Sequence, residues 1–426
     1  MKLLKDYTAE ELLAFEEAAQ QRYDELAASG ISINMARGKP AAEQLEIYDD
    51  MLNEHFAEIG FKSEDGTDCR NYGILYGIEE CRRLFGEIFG VDSKNVIACG
   101  SSSLNLMFDC IAQGMYRGFA GCEPWLNNKN RKFIAVVPGY DRHFGITQFF
   151  GFEMINVPMT ADGPDMDLVE ELIKNPDVKG MFCVPKYSNP DGITYSDETV
   201  IRLASMKPAA KDFRVIWDNA YIIHDFYDDG DKLLNIFDEA KKYGNEDHFI
   251  SFTSTSKITY AGAGVSAIAA SDNNFREISE RLTLQIISYD KMNQLRHAYF
   301  YKTVDDIRAQ MKKHADILRP KFATVLEILN RELEGLGVAS WNEPKGGYFI
   351  SLDVTGGSAK YVGELCKKAG ITLTGVGATY PYGVDPEDKN IRLAPSCPTV
   401  DELKIATEVI CLGVKLAACK EIRENK

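Results

Sequence analysis

Residues 248–271 read HFISFTSTSKITYAGAGVSAIAAS, two strand-like runs joined by a loop that carries a single lysine, Lys257. The runs HFISFTSTS (248–256) and VSAIAAS (265–271) are rich in β-branched, aromatic and small residues, which favours buried strands. Small hydroxyl residues surround the lysine, and the glycines after it allow close backbone approach. Desolvation in such a loop lowers the pKa of an amine and frees it to attack a carbonyl.

The same strand pattern recurs through the middle of the chain, with helical segments between several of the runs. The other candidates are VIACG (96–100), FIAVVPG (133–139), FEMINVPM (152–159), GMFCVP (180–185) and RVIWDNA (214–220). Alternating strands and helices indicate a mainly parallel sheet that is covered on both faces. We therefore predict an α/β fold with a three-layer α/β/α large domain.

The two ends of the chain have a different pattern. Residues 8–29 are predicted to form a helix that begins with a capping box, Thr8 and Glu11, and ends at Gly30. The last third begins with a long helix near 304–334, followed by the short strands GGYFISLD (346–353) and NIRLAP (390–395). We predict a second, smaller α+β domain. The expected division is 1–55, an N-terminal segment that joins the small domain; 56–305, the large domain; and 306–426, the small domain.

The composition limits the class of protein. The chain has 426 residues, enough for two domains, and its net charge of −16 leaves no basic surplus for a nucleic-acid partner. Ten cysteines are scattered singly without a CxxC pair, which predicts free thiols in a cytoplasmic protein and no metal site. The acidic N-terminus does not resemble a signal peptide, and no apolar run approaches the about 18 residues that a membrane span needs.

Polar residues follow several of the predicted strands, at the edge where parallel sheets bind ligands. Gly100, Ser101 and Ser102 lead from VIACG into a helical segment and could hold a phosphate, although by itself this loop favours an ordinary serine N-cap. Asp218 ends the apolar run RVIW, where a carboxylate is costly unless it is paired, but a helix cap would also explain it.

Two further loops admit both a structural and a functional explanation. Tyr140 follows FIAVVPG and can stack on a flat ligand or simply pack, and His143 beside it suits either a core or a site. Asn189 lies in the turn sequence NPDG, whose proline and glycine are explained by turn chemistry. The amide of Asn189 could point into the same cleft as the other groups.

One cofactor requires all of these groups together. Pyridoxal 5′-phosphate has a phosphate, a flat ring, a phenolic oxygen, a pyridine nitrogen and an aldehyde. The lysine would take the aldehyde, and the acid would keep the pyridine nitrogen protonated so that the ring can accept electrons. The joint occurrence of the five loops in this order is far more specific than any one of them.

At these motifs the sequence resembles the fold-type I pyridoxal-phosphate aminotransferases, and most closely a class I-like branch of aspartate aminotransferases, along nearly the whole chain. WDNAY matches D-x-A-Y, SNPDG matches N-P-x-G and STSK matches S-x-S-K. The resemblance implies that Lys257 binds the aldehyde and that Asp218 pairs with the pyridine nitrogen. It also implies that Tyr221 and Asn189 contact the phenolic oxygen.

The resemblance extends to the phosphate site, with one departure. Ser101 and Ser102 fall on the family's phosphate ligands, Ser254 lies near the phosphate, and Tyr140 falls on the aromatic residue that stacks on the ring. The family usually has a phosphate-binding arginine eight residues after the lysine, where this chain has Val265. We therefore expect greater dependence on the serines, with backbone N–H groups of the glycine-rich loop as possible substitutes.

The resemblance also implies residues for the substrate and for a partner subunit. NYGILYGIEECR matches Y-x-x-x-x-G-I-x-x-L-R, which implies a homodimer in which Tyr72 reaches the phosphate of the partner's site. Arg392 in NIRLAPS falls on the arginine that binds the substrate α-carboxylate. Gly38 in MARGKP falls on a loop that closes over the substrate, which Asn189 is also expected to contact.

The activity implied is transfer of an amino group from an amino acid, L-aspartate in this branch, to 2-oxoglutarate by a ping-pong mechanism. Dicarboxylate substrates need a second cation, and the candidates near the predicted loops are Arg37, Lys39, Arg142 and His143. Transamination of alanine or aromatic amino acids, and a lyase reaction on the same fold, are the alternatives. A cofactor-sensing regulator is disfavoured because it would need a DNA-binding module.

Overall fold

Helices and strands alternate along the middle of the chain in a computed structural model, which describes residues 2–52 and 55–424. The α-helices are α1 (Ala9–Ala27), α2 (Ala42–Glu46), α3 (Asp49–Leu52), α4 (His55–Ile59), α5 (Glu79–Phe89), α6 (Ser103–Tyr116), α7 (Asp141–Phe149), α8 (Met166–Leu172), α9 (Asp197–Ser205), α10 (Ile236–Lys241), α11 (Asp272–Gln285), α12 (Lys291–Phe300), α13 (Val304–Leu333), α14 (Ala359–Lys368) and α15 (Val400–Glu424). The β-strands are β1 (Ile33–Asn34), β2 (Val96–Ala98), β3 (Lys132–Val137), β4 (Glu153–Thr160), β5 (Gly163–Pro164), β6 (Val178–Cys183), β7 (Arg214–Asp218), β8 (Phe249–Ser254), β9 (Ser266–Ala270), β10 (Ala339–Trp341), β11 (Ile350–Val354), β12 (Ile371–Thr372) and β13 (Asn390–Leu393).

Eight of these strands form one large mixed sheet in the order β2-β9-β8-β7-β6-β3-β4-β5. Strands β8, β7, β6, β3 and β4 are parallel neighbours, whereas β9 is antiparallel to both β2 and β8, and β5 is antiparallel to β4. The seven strands predicted in this region are all present, which confirms an α/β fold with a mainly parallel sheet. The additional strand, β5, has two residues and is too short to show a hydrophobic pattern.

Helices cover both faces of the large sheet. Strand β7 shows this, because alternate residues of a strand point to opposite sides of the sheet. In β7, Ile216 packs in one hydrophobic cluster with side chains of α6 and α11. Its neighbours Val215 and Trp217 pack in another cluster with side chains of α8 and α9. The sheet is thus a buried middle layer. Because five of its strands run in the same direction, their carboxyl ends lie together at one edge of this layer.

The N-terminal helix packs with the last third of the chain. Leu12 and Tyr23 of α1 share a hydrophobic cluster with Leu329 of α13 and Val409 of α15. Two small sheets accompany them: β1 pairs with β12, and β11 lies between β10 and β13 in an antiparallel sheet. The domain division into 1–55, 56–305 and 306–426 stays a prediction, and its first boundary adjoins residues 53 and 54, which lie outside the described residues.

Capping residues stand at both ends of the predicted N-terminal helix, α1. Thr8 Oγ1 accepts a hydrogen bond from the Glu11 N–H at 3.2 Å, and the Glu11 carboxylate accepts one from the Thr8 N–H at 2.7 Å. Gly30, with φ +72°, follows the end of α1 in the left-handed region that favours glycine. Among the described residues, no helix is long and apolar enough to cross a membrane.

Candidate active site

Lys257 lies just after the carboxyl end of β8, in the 3-10 turn Thr255–Lys257. Its Nζ is 5.1 Å from the centroid of the Tyr221 ring, and Tyr221 is itself buried. Burial lowers the pKa of Lys257, and the negative charge of Asp218 opposes that shift. The lysine is thus a sheltered amine beside an aromatic ring and an acid.

Asp218, the last residue of β7, is 4% exposed and makes one hydrogen bond through its side chain. Its Oδ2 is 3.0 Å from Nε2 of His143, whose ring stacks on Phe182 with centroids 4.3 Å apart. The other carboxylate oxygen, Oδ1, is buried and has no hydrogen-bond partner among the described residues. A buried oxygen is costly to leave unpaired, so this atom is an acceptor that a bound N–H group would satisfy.

The aromatic residue expected to stack on the cofactor ring lies beside this pair. Tyr140 precedes the first turn of α7, and its ring contacts the ring of His143 edge-on, with centroids 4.9 Å apart. Burial, followed by the charge of Asp218, raises the pKa of Tyr140 to about 12. The phenol therefore stays neutral at physiological pH and offers a neutral face to a ligand.

The predicted phosphate residues lie together at the N-terminus of α6. Ser254 Oγ donates to Ser256 Oγ at 3.1 Å, and Ser256 Oγ donates to the Ser101 carbonyl at 3.1 Å. Ser102 is the N-cap of α6, as the structural explanation of this serine in the sequence predicted. Ser256 was not singled out from the sequence, although it lies inside the STSK motif. The hydroxyl groups and the helix N-terminus lie together and have the donors that an anion requires.

The position of the missing arginine is part of the hydrophobic core. Val265 is 1% exposed, and its N–H donates to Thr255 Oγ1 at 2.9 Å. A Cβ on Gly264 would lie 2.8 Å from the same hydroxyl, so the glycine permits this close approach. The Val265 N–H is therefore already bonded within the chain, whereas a phosphate contact by the other N–H groups of the glycine-rich loop stays a prediction.

Arg392 in β13 is 7% exposed and lies close enough to Tyr140 and Tyr221 for its charge to act on both phenols. Its Nη1 donates to Asn189 Oδ1 at 3.2 Å, and its guanidinium carbon lies 4.9 Å from the centroid of the Phe349 ring. Gly38 packs against that ring, because a Cβ on Gly38 would lie 2.5 Å from Phe349 Cζ. The glycine loop and the arginine are thus linked through one phenylalanine, which sequence reasoning did not identify.

The Gly38→Ala substitution should raise KM for the amino-acid substrate that the resemblance implies about tenfold, with a smaller change in kcat. The added methyl group must displace Phe349 and with it the support of Arg392, at a cost of about 1–3 kcal/mol. Steady-state kinetics would measure both constants. The matched control is Gly145→Ala, because a Cβ on Gly145 meets nothing within 4 Å. Equal KM values in the two variants would show that the contact with Phe349 does not matter.

The remaining candidate residues differ in their exposure to solvent. Tyr72 is 80% exposed, and Arg37, Lys39 and Arg142 are also exposed, whereas His143 is committed to Asp218. His224 is a buried neighbour of Lys257 that the sequence did not reveal. Burial, followed by the charge of Lys257, lowers its pKa well below the ordinary range, so its imidazole is neutral.

The assembled residues fit pyridoxal 5′-phosphate, the cofactor that the resemblance implies. The unpaired Oδ1 of Asp218 suits its pyridine nitrogen, and the amine of Lys257 suits its aldehyde. The serines at the α6 N-terminus suit its phosphate, and the hydroxyl of Tyr221 and the amide of Asn189 suit its phenolic oxygen.

Comparison with known proteins gives the same assignment. A family model described as aspartate amino-transferase matches residues 7–426. The aspartate aminotransferase of Corynebacterium glutamicum is 47% identical over 418 residues, which cover 98% of this chain and 96% of that protein. A crystal structure of an aspartate transaminase from C. glutamicum superposes with a TM-score of 0.95 at 47% identity, over 99% of both chains.

A more distant structure shares the fold. An α-aminoadipate aminotransferase from Thermus thermophilus, complexed with N-(5′-phosphopyridoxyl)-L-leucine, has a TM-score of 0.73 at 20% identity, over 94% of this chain and 95% of its own. The resemblance drawn from the motifs is confirmed: this chain belongs to the aspartate amino-transferase family.

Proposed function

We propose that this enzyme, an aminotransferase with pyridoxal 5′-phosphate as its cofactor, transfers the amino group of L-aspartate to 2-oxoglutarate by a ping-pong mechanism. The observation that carries the proposal is the unpaired Oδ1 of Asp218 in the same buried site as the amine of Lys257. The choice of aspartate is supported by the aspartate aminotransferase of C. glutamicum, at 47% identity.

Lys257 has two tasks in this proposal. Its amine would hold the cofactor through the aldehyde. As a free amine it would then act as the base that takes the proton from the substrate Cα, and as the acid that delivers this proton to the carbon that had carried the aldehyde. Burial suits both tasks, because a lowered pKa increases the fraction of the amine that is unprotonated. The cofactor, when bound, supplies a ring that accepts the electrons left on Cα.

Asp218 and His143 would together stabilise a positive charge at the pyridine nitrogen. Oδ1 of Asp218 is the oxygen that would accept the N–H of that nitrogen, while the bond between Oδ2 and His143 fixes the orientation of the carboxylate. The stacking of His143 on Phe182 in turn fixes the imidazole. Because the carboxylate is buried, its interaction with a cationic N–H is stronger than it would be in water. Electron withdrawal by the ring therefore depends on this pair.

A half-reaction screen tests the substrate. The purified enzyme is mixed with single amino acids without an oxo acid, and the visible absorption of the cofactor is followed. We expect aspartate and glutamate to bleach the band fastest, and 2-oxoglutarate or oxaloacetate to restore it. Faster bleaching by alanine or an aromatic amino acid would replace the proposed substrate, and release of ammonia with pyruvate would indicate a lyase.

The proposal includes a homodimer with shared active sites, in which Tyr72 serves the partner subunit. Tyr72 is 80% exposed on its own chain, and Lys291, which is 3% exposed, holds the adjacent loop by donating to the Gly73 carbonyl at 2.9 Å. An exposed tyrosine on an anchored loop is suited to a contact outside its own subunit.

Subunit mixing is expected to restore activity to two inactive variants, Lys257→Ala and Tyr72→Ala. If Tyr72 acts across the interface, each mixed dimer has one site with both changes and one site with neither. Equal mixing after reversible dissociation should then recover about a quarter of wild-type activity, because half of the dimers are mixed. If Tyr72 acted within its own subunit, mixing would restore nothing.

We also propose a cytoplasmic location. All ten cysteines are free, and eight of them are buried. Reduced thiols of this kind are typical of proteins from a reducing compartment.

A further inference from the structure

The guanidinium of Arg392 is nearly saturated by bonds within the chain. It has five N–H groups, and four hydrogen bonds use them: Nη1 donates to Asp141 Oδ1 at 3.0 Å and to Asn189 Oδ1 at 3.2 Å, while Nε and Nη2 each donate to Thr374 Oγ1 at 3.3 Å. A single N–H, on Nη2, remains. A carboxylate that binds in a two-point fork needs two.

The remaining N–H is on Nη2. A carboxylate that binds to Nη1 and Nη2 together therefore requires Nη1 to give up one of its two acceptors, Asp141 Oδ1 or Asn189 Oδ1. Asn189 is 5% exposed and is fixed in the turn between β6 and α9. The Asp141 side chain is 33% exposed, and it is an anion that water can solvate once it leaves the arginine. Of the two partners of Nη1, Asp141 is therefore the one that can give way at lower cost.

Asp141 also belongs to a different part of the fold from Arg392. It begins α7, directly after Tyr140, whereas Arg392 lies in the small sheet formed by β10, β11 and β13. The ion pair thus spans the cleft in which the substrate is proposed to bind. No other carboxylate among the described residues forms an ion pair with Arg392.

We propose that Asp141 is an internal competitor for the substrate α-carboxylate, which it resembles in charge and geometry, and that it sets the affinity of the site by occupying Arg392 until the substrate displaces it. The proposal rests on the proposed role of Arg392 in the function above. Because Asp141 acts on the α-carboxylate that all substrates share, it should change affinity without changing the preference among amino acids.

The test is carboxylate binding to the holoenzyme. The dissociation constant of maleate, an unreactive dicarboxylate, is measured from the change in cofactor absorbance for the wild type and for Asp141→Asn. The amide of asparagine keeps an acceptor of the same shape but removes the negative charge, and with it the Coulombic attraction to the guanidinium. We expect maleate to bind about tenfold more tightly, KM for aspartate and glutamate to fall by similar factors, and their ratio of kcat/KM to stay constant.

Asp141→Ser, which removes the carboxylate and keeps a small polar group, should shift the constant in the same direction and serves if the asparagine variant folds poorly. The matched control is Glu153→Gln, which removes one negative charge from an exposed pair with Lys132 at the opposite end of the strands. It should leave maleate binding unchanged.

Unchanged or weaker maleate binding in both Asp141 variants would overturn the inference, since it would mean that Asp141 supports Arg392 without competing for it. Arg392→Gln separates this failure from failure of the proposed function. If Arg392→Gln loses maleate binding while the Asp141 variants gain nothing, only the competition is wrong. If Arg392→Gln still binds maleate like the wild type, the proposed substrate site itself is wrong.

Discussion

Replacing Lys257 with alanine is expected to reduce amino transfer from aspartate to 2-oxoglutarate by at least about 10⁴-fold. The variant loses both the amine that holds the cofactor and the base that moves the Cα proton, and a positioned base by itself accounts for about 10²–10⁴-fold. The characteristic visible absorption of the lysine-bound cofactor should vanish as well. Stopped-flow measurement of the half-reaction would record the loss directly.

The matched control is Lys179→Ala. Lys179 is another partly buried lysine of the large sheet, but it pairs with Asp212 at 3.1 Å and lies near the amino end of β6. This variant should keep the visible absorption and nearly all activity. Turnover by Lys257→Ala within tenfold of the wild type would refute the assignment of the catalytic amine.

The second large effect is expected from Asp218→Asn, which should slow the half-reaction by roughly 10²- to 10³-fold while the cofactor remains attached to Lys257. The amide cannot stabilise a cationic pyridine nitrogen in a buried site, so the ring no longer withdraws electrons from Cα effectively. Unlike Lys257→Ala, this variant should stay coloured. Near-wild-type rates would show that Asp218 does not pair with the pyridine nitrogen.

The same variant has a second readout in the cofactor-free protein. The carboxylate of Asp218 favours the ammonium form of Lys257 and so raises its pKa, against the larger lowering caused by burial. Removing that negative charge should therefore lower the pKa of Lys257 further. The pH dependence of amine labelling at Lys257 would measure it, and an unchanged or higher pKa would contradict the electrostatic contact between the two residues.

Much of the large sheet could be predicted because its signals are local. Each buried strand is a short apolar run, and the polar residues after β2, β3, β6, β7 and β8 mark the strand ends one by one. The two-residue strands β1, β5 and β12 could not be predicted, since so few residues show no period. The sheet order also could not be predicted from these runs.

The partner of Asp218 illustrates that limit. His143 follows β3, and it lies 75 residues before Asp218, which ends β7. Strand β6 lies between β3 and β7 in the sheet, and its Phe182 stacks on the imidazole of His143. The sequence left His143 as a core residue, a site residue or a candidate cation for the substrate. Its role follows from the adjacency of β3, β6 and β7.

The sequence by itself determined the α/β class, the order of the cofactor motifs along the chain and the residue types needed at each strand end, because hydrophobic periods and turn chemistry are encoded over a few neighbouring residues. The tertiary structure decided which of these residues meet. The contact of Arg392 with Asp141, 251 positions apart, depends on how the small sheet docks on the large one. That docking is set by long-range packing of buried surfaces, and no short stretch of sequence specifies it.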